Sequence, residues 1–232
     1  MKKHIRFLAA VISLSVAVSG MVVPAFAAVE KNTYSSQTYS TDSIVGGWQI
    51  NDDSTSLNKN PDAKSAFLKA RKGLIGVKLQ PMAYLGSQVV SGKNYCILCR
   101  ITTVSVDAKP EIALVYVYED LNGNAKITGY QTIIGKVLPG SFSANEGKFK
   151  LGNNKAVKKA YKKAMKDNNA DGYEPVAYLG DQVVSGSNYM ILARGKGTDD
   201  VEKGYYLIIV YADLKGNAEI NRIEPLELGN ID

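Results

Sequence analysis

One pentapeptide, Gln-Val-Val-Ser-Gly, is written twice in this chain, as Gln88-Val89-Val90-Ser91-Gly92 and as Gln182-Val183-Val184-Ser185-Gly186. The copies lie 94 residues apart, and the flanks 81–100 and 175–194 agree at 15 of 20 positions, far beyond a shared turn. The chain is therefore one unit used twice. The register runs without gaps from Ile44 to Arg100, so Gly46 falls on Gly140, Trp48 on Phe142, Phe67 on Tyr161 and Pro81 on Pro175. The units are 44–137 and 138–232, each large enough for one small core.

Each unit reads as an extended opening, a helix, and then paired strands. Pro61 at a first helical position follows Asn60, a capping residue type. Ala63, Ala66, Phe67, Ala70 and Leu74 recur at helical spacing, which predicts a helix over 60–71. Val157, Ala160, Tyr161, Ala164 and Met165 predict its counterpart over 154–166. The remaining face of that helix is Lys155, Lys158, Lys159, Lys162, Lys163 and Lys166, which reads as a solvated surface. Strand-like runs at 82–90 and 94–104 flank the first pentapeptide, and runs at 112–121 and 125–133 flank the turn dipeptide Asn122-Gly123. The second unit repeats them at 176–184, 188–194, 205–214 and 218–223. Tyr95, Ile97, Cys99 and Ile101 alternate as the expected core side. The expected fold class is α+β: two tandem domains, each with one helix packed on an antiparallel sheet.

The N-terminus has the form of an export signal. Lys2, Lys3 and Arg6 precede an uncharged apolar run, and Ala25-Phe26-Ala27 is a cleavage pattern. A signal over 1–27, a flexible leader over 28–43 and secretion of the product are expected. Cleavage would lower the formal charge from +6 to +3, too little for a nucleic-acid partner. No membrane partner is expected after cleavage. The single His, His4, leaves with the signal, which removes Ser-His-Asp and Cys-His catalysis and His-rich metal sites. No enzyme activity, cofactor or metal is expected. Cys96 and Cys99 fall on opposite faces of one strand, so they do not suit a bridge. The stretch 120–124 reads as a turn, because Ala125 stands where a calcium loop needs Gly and Gln131 where it needs Glu.

These residues resemble the cystatins, inhibitors of papain-like cysteine proteases. Gln88, Val90 and Gly92 fit the family's Gln-x-Val-x-Gly, and Asn94-Tyr95 follows as it often does there; Gln182, Val184, Gly186 and Asn188-Tyr189 repeat the match. Ile44-Val45-Gly46-Gly47-Trp48 resembles the family's N-terminal trunk. Leu121-Asn122-Gly123 stands where the disulfide-free branch, the stefins, has Leu-Pro-Gly. The resemblance spans nearly all of the chain after the leader, in two copies. It departs at Ser91 and Ser185, where Ala is usual, and at Leu138-Pro139-Gly140-Ser141, where the second trunk lacks one Gly.

The resemblance implies a secreted, reversible protease inhibitor, with a papain-like cysteine protease as partner. Its wedge would be the trunk Ile44, Val45, Gly46 and Gly47, the first hairpin tip from Gln88 to Gly92, and Leu121 and Asn122 of the second hairpin. The second copy would offer Gly140, Gln182, Val183, Val184, Ser185, Gly186, Leu214 and Lys215, with weaker binding expected because its trunk is spliced to the preceding strand. The other open reading is a secreted binding module for a cell-surface or matrix protein, because fold does not fix function. A wedge needs the trunk and both hairpin tips on one edge; a generic binder does not.

Overall fold

The computed structural model describes residues 46–135 and 140–229. The expected signal and leader, Ile44, Val45, Val137, Leu138 and Pro139 lie outside the described residues. The first five strands are β1 (Trp48–Ile50), β2 (Val77–Val90), β3 (Gly92–Thr103), β4 (Glu111–Glu119) and β5 (Ala125–Ile134). They form one antiparallel sheet in the order β1-β2-β3-β4-β5. Helix α1 (Pro61–Ala70) comes between β1 and β2. The second sheet holds β6 (Ser143–Ala144), β7 (Tyr173–Val184), β8 (Gly186–Gly195), β9 (Gly204–Ala212) and β10 (Ala218–Leu226) in the order β10-β9-β8-β7-β6, with α2 (Lys155–Asp167) between β6 and β7.

Local sequence explains most of these elements. Pro61 opens α1, where its missing N–H would have no partner anyway. Asn60 stands at the cap position, but its side chain does not cap; its Nδ2 donates to the carbonyls of Ser54 and Ser56 and ties down the incoming loop. Ala63, Ala66 and Phe67 form the buried side of α1, packed with Tyr95, Ile97 and Cys99 of β3. Val157, Ala160, Tyr161, Ala164 and Met165 do the same for α2 against Ile191, Ile208 and Val210. Pro81 and Pro175 sit where the β2–β3 and β7–β8 registers shift, so the absent N–H breaks no regular ladder. A second shift follows at Gly86 and at Gly180. Both must be Gly: a Cβ would lie 2.4 Å from the Gln49 carbonyl oxygen in one sheet and 2.1 Å from that of Ser143 in the other.

The expectation of two tandem α+β domains, each a helix on a sheet, does not hold. Strand makes up 49% of the structure and helix 18%, so the molecule is mostly β, built on two five-stranded sheets. The reason lies in what covers the second face of each sheet. Cys96, Leu98, Leu114 and Tyr116 of the first sheet and Leu179, Leu192 and Tyr205 of the second belong to one buried apolar cluster. The central strands are thus buried on both faces, and Ile112, Ala113, Leu114, Val115, Tyr116 and Val117 are all at most 1% exposed. Cys96 faces this shared layer and Cys99 faces α1; both are free thiols. The described residues all fall in one compact unit.

The sheets stack head to tail. Ile134, at the end of β5 far from its hairpin, reaches the site of a Cβ on Gly180, beside the second pentapeptide. Leu228, just past β10, does the same at Gly86, beside the first pentapeptide. Arg194, at the far end of β8, donates to the carbonyls of Asn51, Asp52 and Asp53 that follow β1. The Gly229 N–H donates to the Tyr116 hydroxyl, and Trp48 packs edge-on to the Tyr116 ring at 5.5 Å. The far end of each sheet therefore packs on the strands just short of the other's pentapeptide, while Val89 and Val183 at the tips stay exposed.

A shared layer couples the halves energetically. Leu192→Ala, in the second sheet, should destabilise the protein by about 2–5 kcal/mol. It should lower the unfolding midpoint reported by Trp48, the sole Trp, as much as that reported by circular dichroism. A Trp48 midpoint that stays in place would mean that the halves unfold independently.

Candidate functional site

In the first sheet the strand register places Trp48 opposite Gln88, Gln88 opposite Asn94, Asn94 opposite Tyr118 and Tyr118 opposite Lys126. These residues form one row across all five strands. Beyond it, on a single edge, lie Gly46 and Gly47, the turn at Ser91, and the turn over 120–124. The structure thus brings together the described trunk residues and both hairpin tips that the sequence nominated.

Side chains lock the row. Gln88 Nε2 donates to the Gly46 carbonyl at 2.6 Å, and Gln88 Oε1 accepts from Asn94 Nδ2 at 2.7 Å. One amide therefore ties the trunk to both arms of the first hairpin. The Tyr118 hydroxyl donates to the Ser91 carbonyl and ties that tip to β4. Gly92 has φ +121°, and a Cβ there would lie 2.3 Å from the Glu119 carbonyl oxygen, so no other residue fits without moving β4. Gly46 has φ +88°, a left-handed conformation that favours Gly.

The second tip is self-contained. Asp120 Oδ1 accepts from the Asn122 and Asn124 backbone N–H groups, and Oδ2 accepts from Asn124 Nδ2. These bonds, led by the Asn124 side chain, hold the Asp120 carboxyl below its ordinary value. Lys69 of α1 donates to the Gly123 carbonyl at 2.8 Å and to Glu119 at 2.9 Å, anchoring the hairpin to the helix. Burial, followed by the Glu119 charge, pushes the Tyr95 hydroxyl well above its usual range. On this frame sit exposed apolar side chains: Val89 is 58% exposed and Leu121 84%.

The second sheet repeats the row with Gln182, Asn188 and Tyr211. Gln182 Nε2 donates to the Gly140 carbonyl at 2.6 Å, and Asn188 Nδ2 donates to Gln182 Oε1 at 2.7 Å. The Tyr211 hydroxyl donates to the Ser185 carbonyl. Gly186 has φ +129° and Gly140 +79°. Asp213 Oδ1 accepts from the backbone of Lys215 and Asn217, as Asp120 does in its own turn. Val183 is 80% exposed and Leu214 88%. The copies differ at the trunk: β6 pairs only at Ser143 and Ala144, one residue short of its counterpart.

Sequence reading missed the Gln–Asn bridge and the tyrosine clamp. Both were present as signals, since Gln88 and Asn94 recur as Gln182 and Asn188, and Tyr118 recurs as Tyr211 once the single deletion is allowed for. Trp48 packs against the shared core and does not project with the tips. Among the described residues no three His, Cys, Asp or Glu side chains gather as metal ligands do, and no helix is long and apolar enough to cross a membrane. Cys96 and Cys99 are fully buried, and burial raises both thiols, so neither is a ready nucleophile. No family model matches the chain, and no curated protein matches it significantly.

The Asp120 turn carries a pH signature. A carboxyl whose folded pKa is depressed contributes stability above its unfolded pKa and loses it as pH falls through the folded value. The Asn122 and Asn124 amide signals should hold steady from neutral pH to pH ~4 and shift only below the ordinary carboxylate range. A midpoint at or above that range, followed by NMR, would show that the turn bonds do not hold the charged form.

Proposed function

We propose that this protein is an exported, non-enzymatic inhibitor of papain-like cysteine proteases that binds reversibly by seating a row of tips in the active-site cleft. The observation that carries this reading is where apolar surface is left uncovered. Of eleven exposed large apolar side chains among the described residues, six are at hairpin tips: Val89, Val90, Leu121, Val183, Val184 and Leu214. Exposed apolar groups on a rigid frame mark interaction sites, because little ordering entropy is lost on binding. A cleft that accepts an extended peptide is filled by a narrow row of this kind. The likeness of residues 88–92 to the cystatin pentapeptide supports the same reading. An interface of ordinary size, about 800 Å² per partner, is within reach of three such segments.

A second reading, a binding module for a surface or matrix protein, is favoured by Ile75, Val104 and Val106, which are exposed at the other end of the first sheet. An activity titration separates the two. Micromolar chain should inhibit papain, and the double substitution Val89→Asp with Val183→Asp should raise the inhibition constant at least about tenfold, the effect of one lost anchor of ~1.4 kcal/mol or more at each tip. Papain activity unchanged by the native chain would remove the inhibitor reading and leave the module.

A further inference from the structure

We infer that the two tip rows are separate, equivalent docking sites at opposite ends of one rigid body, so that one molecule holds two proteases at once. This rests on the inhibitor reading above and extends it to stoichiometry.

The first ground is equivalence. The Gln88 bridge to Gly46 and Asn94 has the same lengths as the Gln182 bridge to Gly140 and Asn188. Gly92 and Gly186 share a left-handed conformation and the same clash of an added Cβ with a carbonyl oxygen of the next strand, at 2.3 and 2.4 Å. Tyr118 and Tyr211 clamp Ser91 and Ser185 in the same way. Leu121 and Leu214 project from turns with the same Asp-centred bonding. The splice ahead of Gly140 was expected to weaken the second site, yet the Gly140 carbonyl is held as firmly as that of Gly46.

The second ground is direction. Ile134 closes over Gly180 and Leu228 over Gly86, so each row stands beside the far end of the other sheet. The rows then face opposite ways. From Gln88 back to Val77 is eleven residues of β2, roughly 35 Å of strand. A protease of about 200 residues is roughly 35–45 Å across, and two of them approaching from opposite ends do not meet. The third ground is rigidity. The rows are joined through the shared apolar layer, not only through residues 136–139, so occupancy of one end leaves the other formed.

The test uses the chain and papain whose active-site thiol is blocked as a small mixed disulfide, which prevents digestion. Sedimentation velocity with protease in excess should give a complex of one inhibitor and two proteases. The pair Val89→Asp with Leu121→Asp should reduce it to one protease, and Val183→Asp with Leu214→Asp should do the same; all four positions are exposed, so folding is kept, with circular dichroism as the check. The quadruple variant should bind none. Saturation of the native chain at one protease would overturn the two-site inference and leave the inhibitor reading intact. No complex at all would overturn both.

Discussion

Tyr116 and Tyr205, Leu98 and Leu192, Cys96 and Met190 belong to one apolar layer pressed between two sheets. Neither sheet has another way to cover that face, because each already uses its other face to hold a helix. Burying it is the main favourable term available, at ~25 cal/mol per Å² of apolar surface. Side chains only follow where this layer leads. Arg194 settles on the carbonyls of Asn51, Asp52 and Asp53, and Tyr116 accepts from Gly229, because the layer has set the sheets head to tail. Gly86 and Gly180 are fixed first by the Gln49 and Ser143 carbonyls of their own sheets, and Leu228 and Ile134 of the opposite sheet close over the same spots.

That arrangement divides the molecule into a rigid middle and two bare ends. The ends are short turns, yet they are not left loose. Each is held by polar bonds: the Gln88 and Gln182 amides between trunk and hairpin, and the Tyr118 and Tyr211 hydroxyls across to Ser91 and Ser185; Lys69 adds a tie from α1 to Gly123 at the first end. Polar side chains thus hold the frame, while Val89, Val90 and Leu121 stay free to meet a partner. This division of labour favours a surface that binds without rearranging.

Much of the local structure was legible in the residues. Pro61 and the Ala63, Ala66, Phe67 stripe marked α1 within a residue at each end, and Asn122-Gly123 marked the second hairpin. Alternation along 95–101 marked Tyr95, Ile97, Cys99 and Ile101 as the core side of β3, which packs with α1, but the side of Cys96 and Leu98 is buried as fully. The stacking of the sheets was not read, because it depends on contacts between halves far apart in sequence, and period-2 alternation reports only one buried face. The signal was there in the unbroken apolar runs at 96–99 and 112–117. A strand with water on one side does not carry six such residues in succession. The Asn60 side chain illustrates a smaller limit: the residue type fits a cap, but the neighbouring Ser54 and Ser56 carbonyls were the stronger attraction.

The most direct test of the account is hydrogen exchange of the intact chain with and without thiol-blocked papain. Exchange should slow at 88–92 and 121–122 and, equally, at 182–186 and 214–215. The central strands β3, β4, β8 and β9 should be unaltered, because the frame is already formed. Slowing confined to 75–78 and 104–106, or no change anywhere, would contradict it.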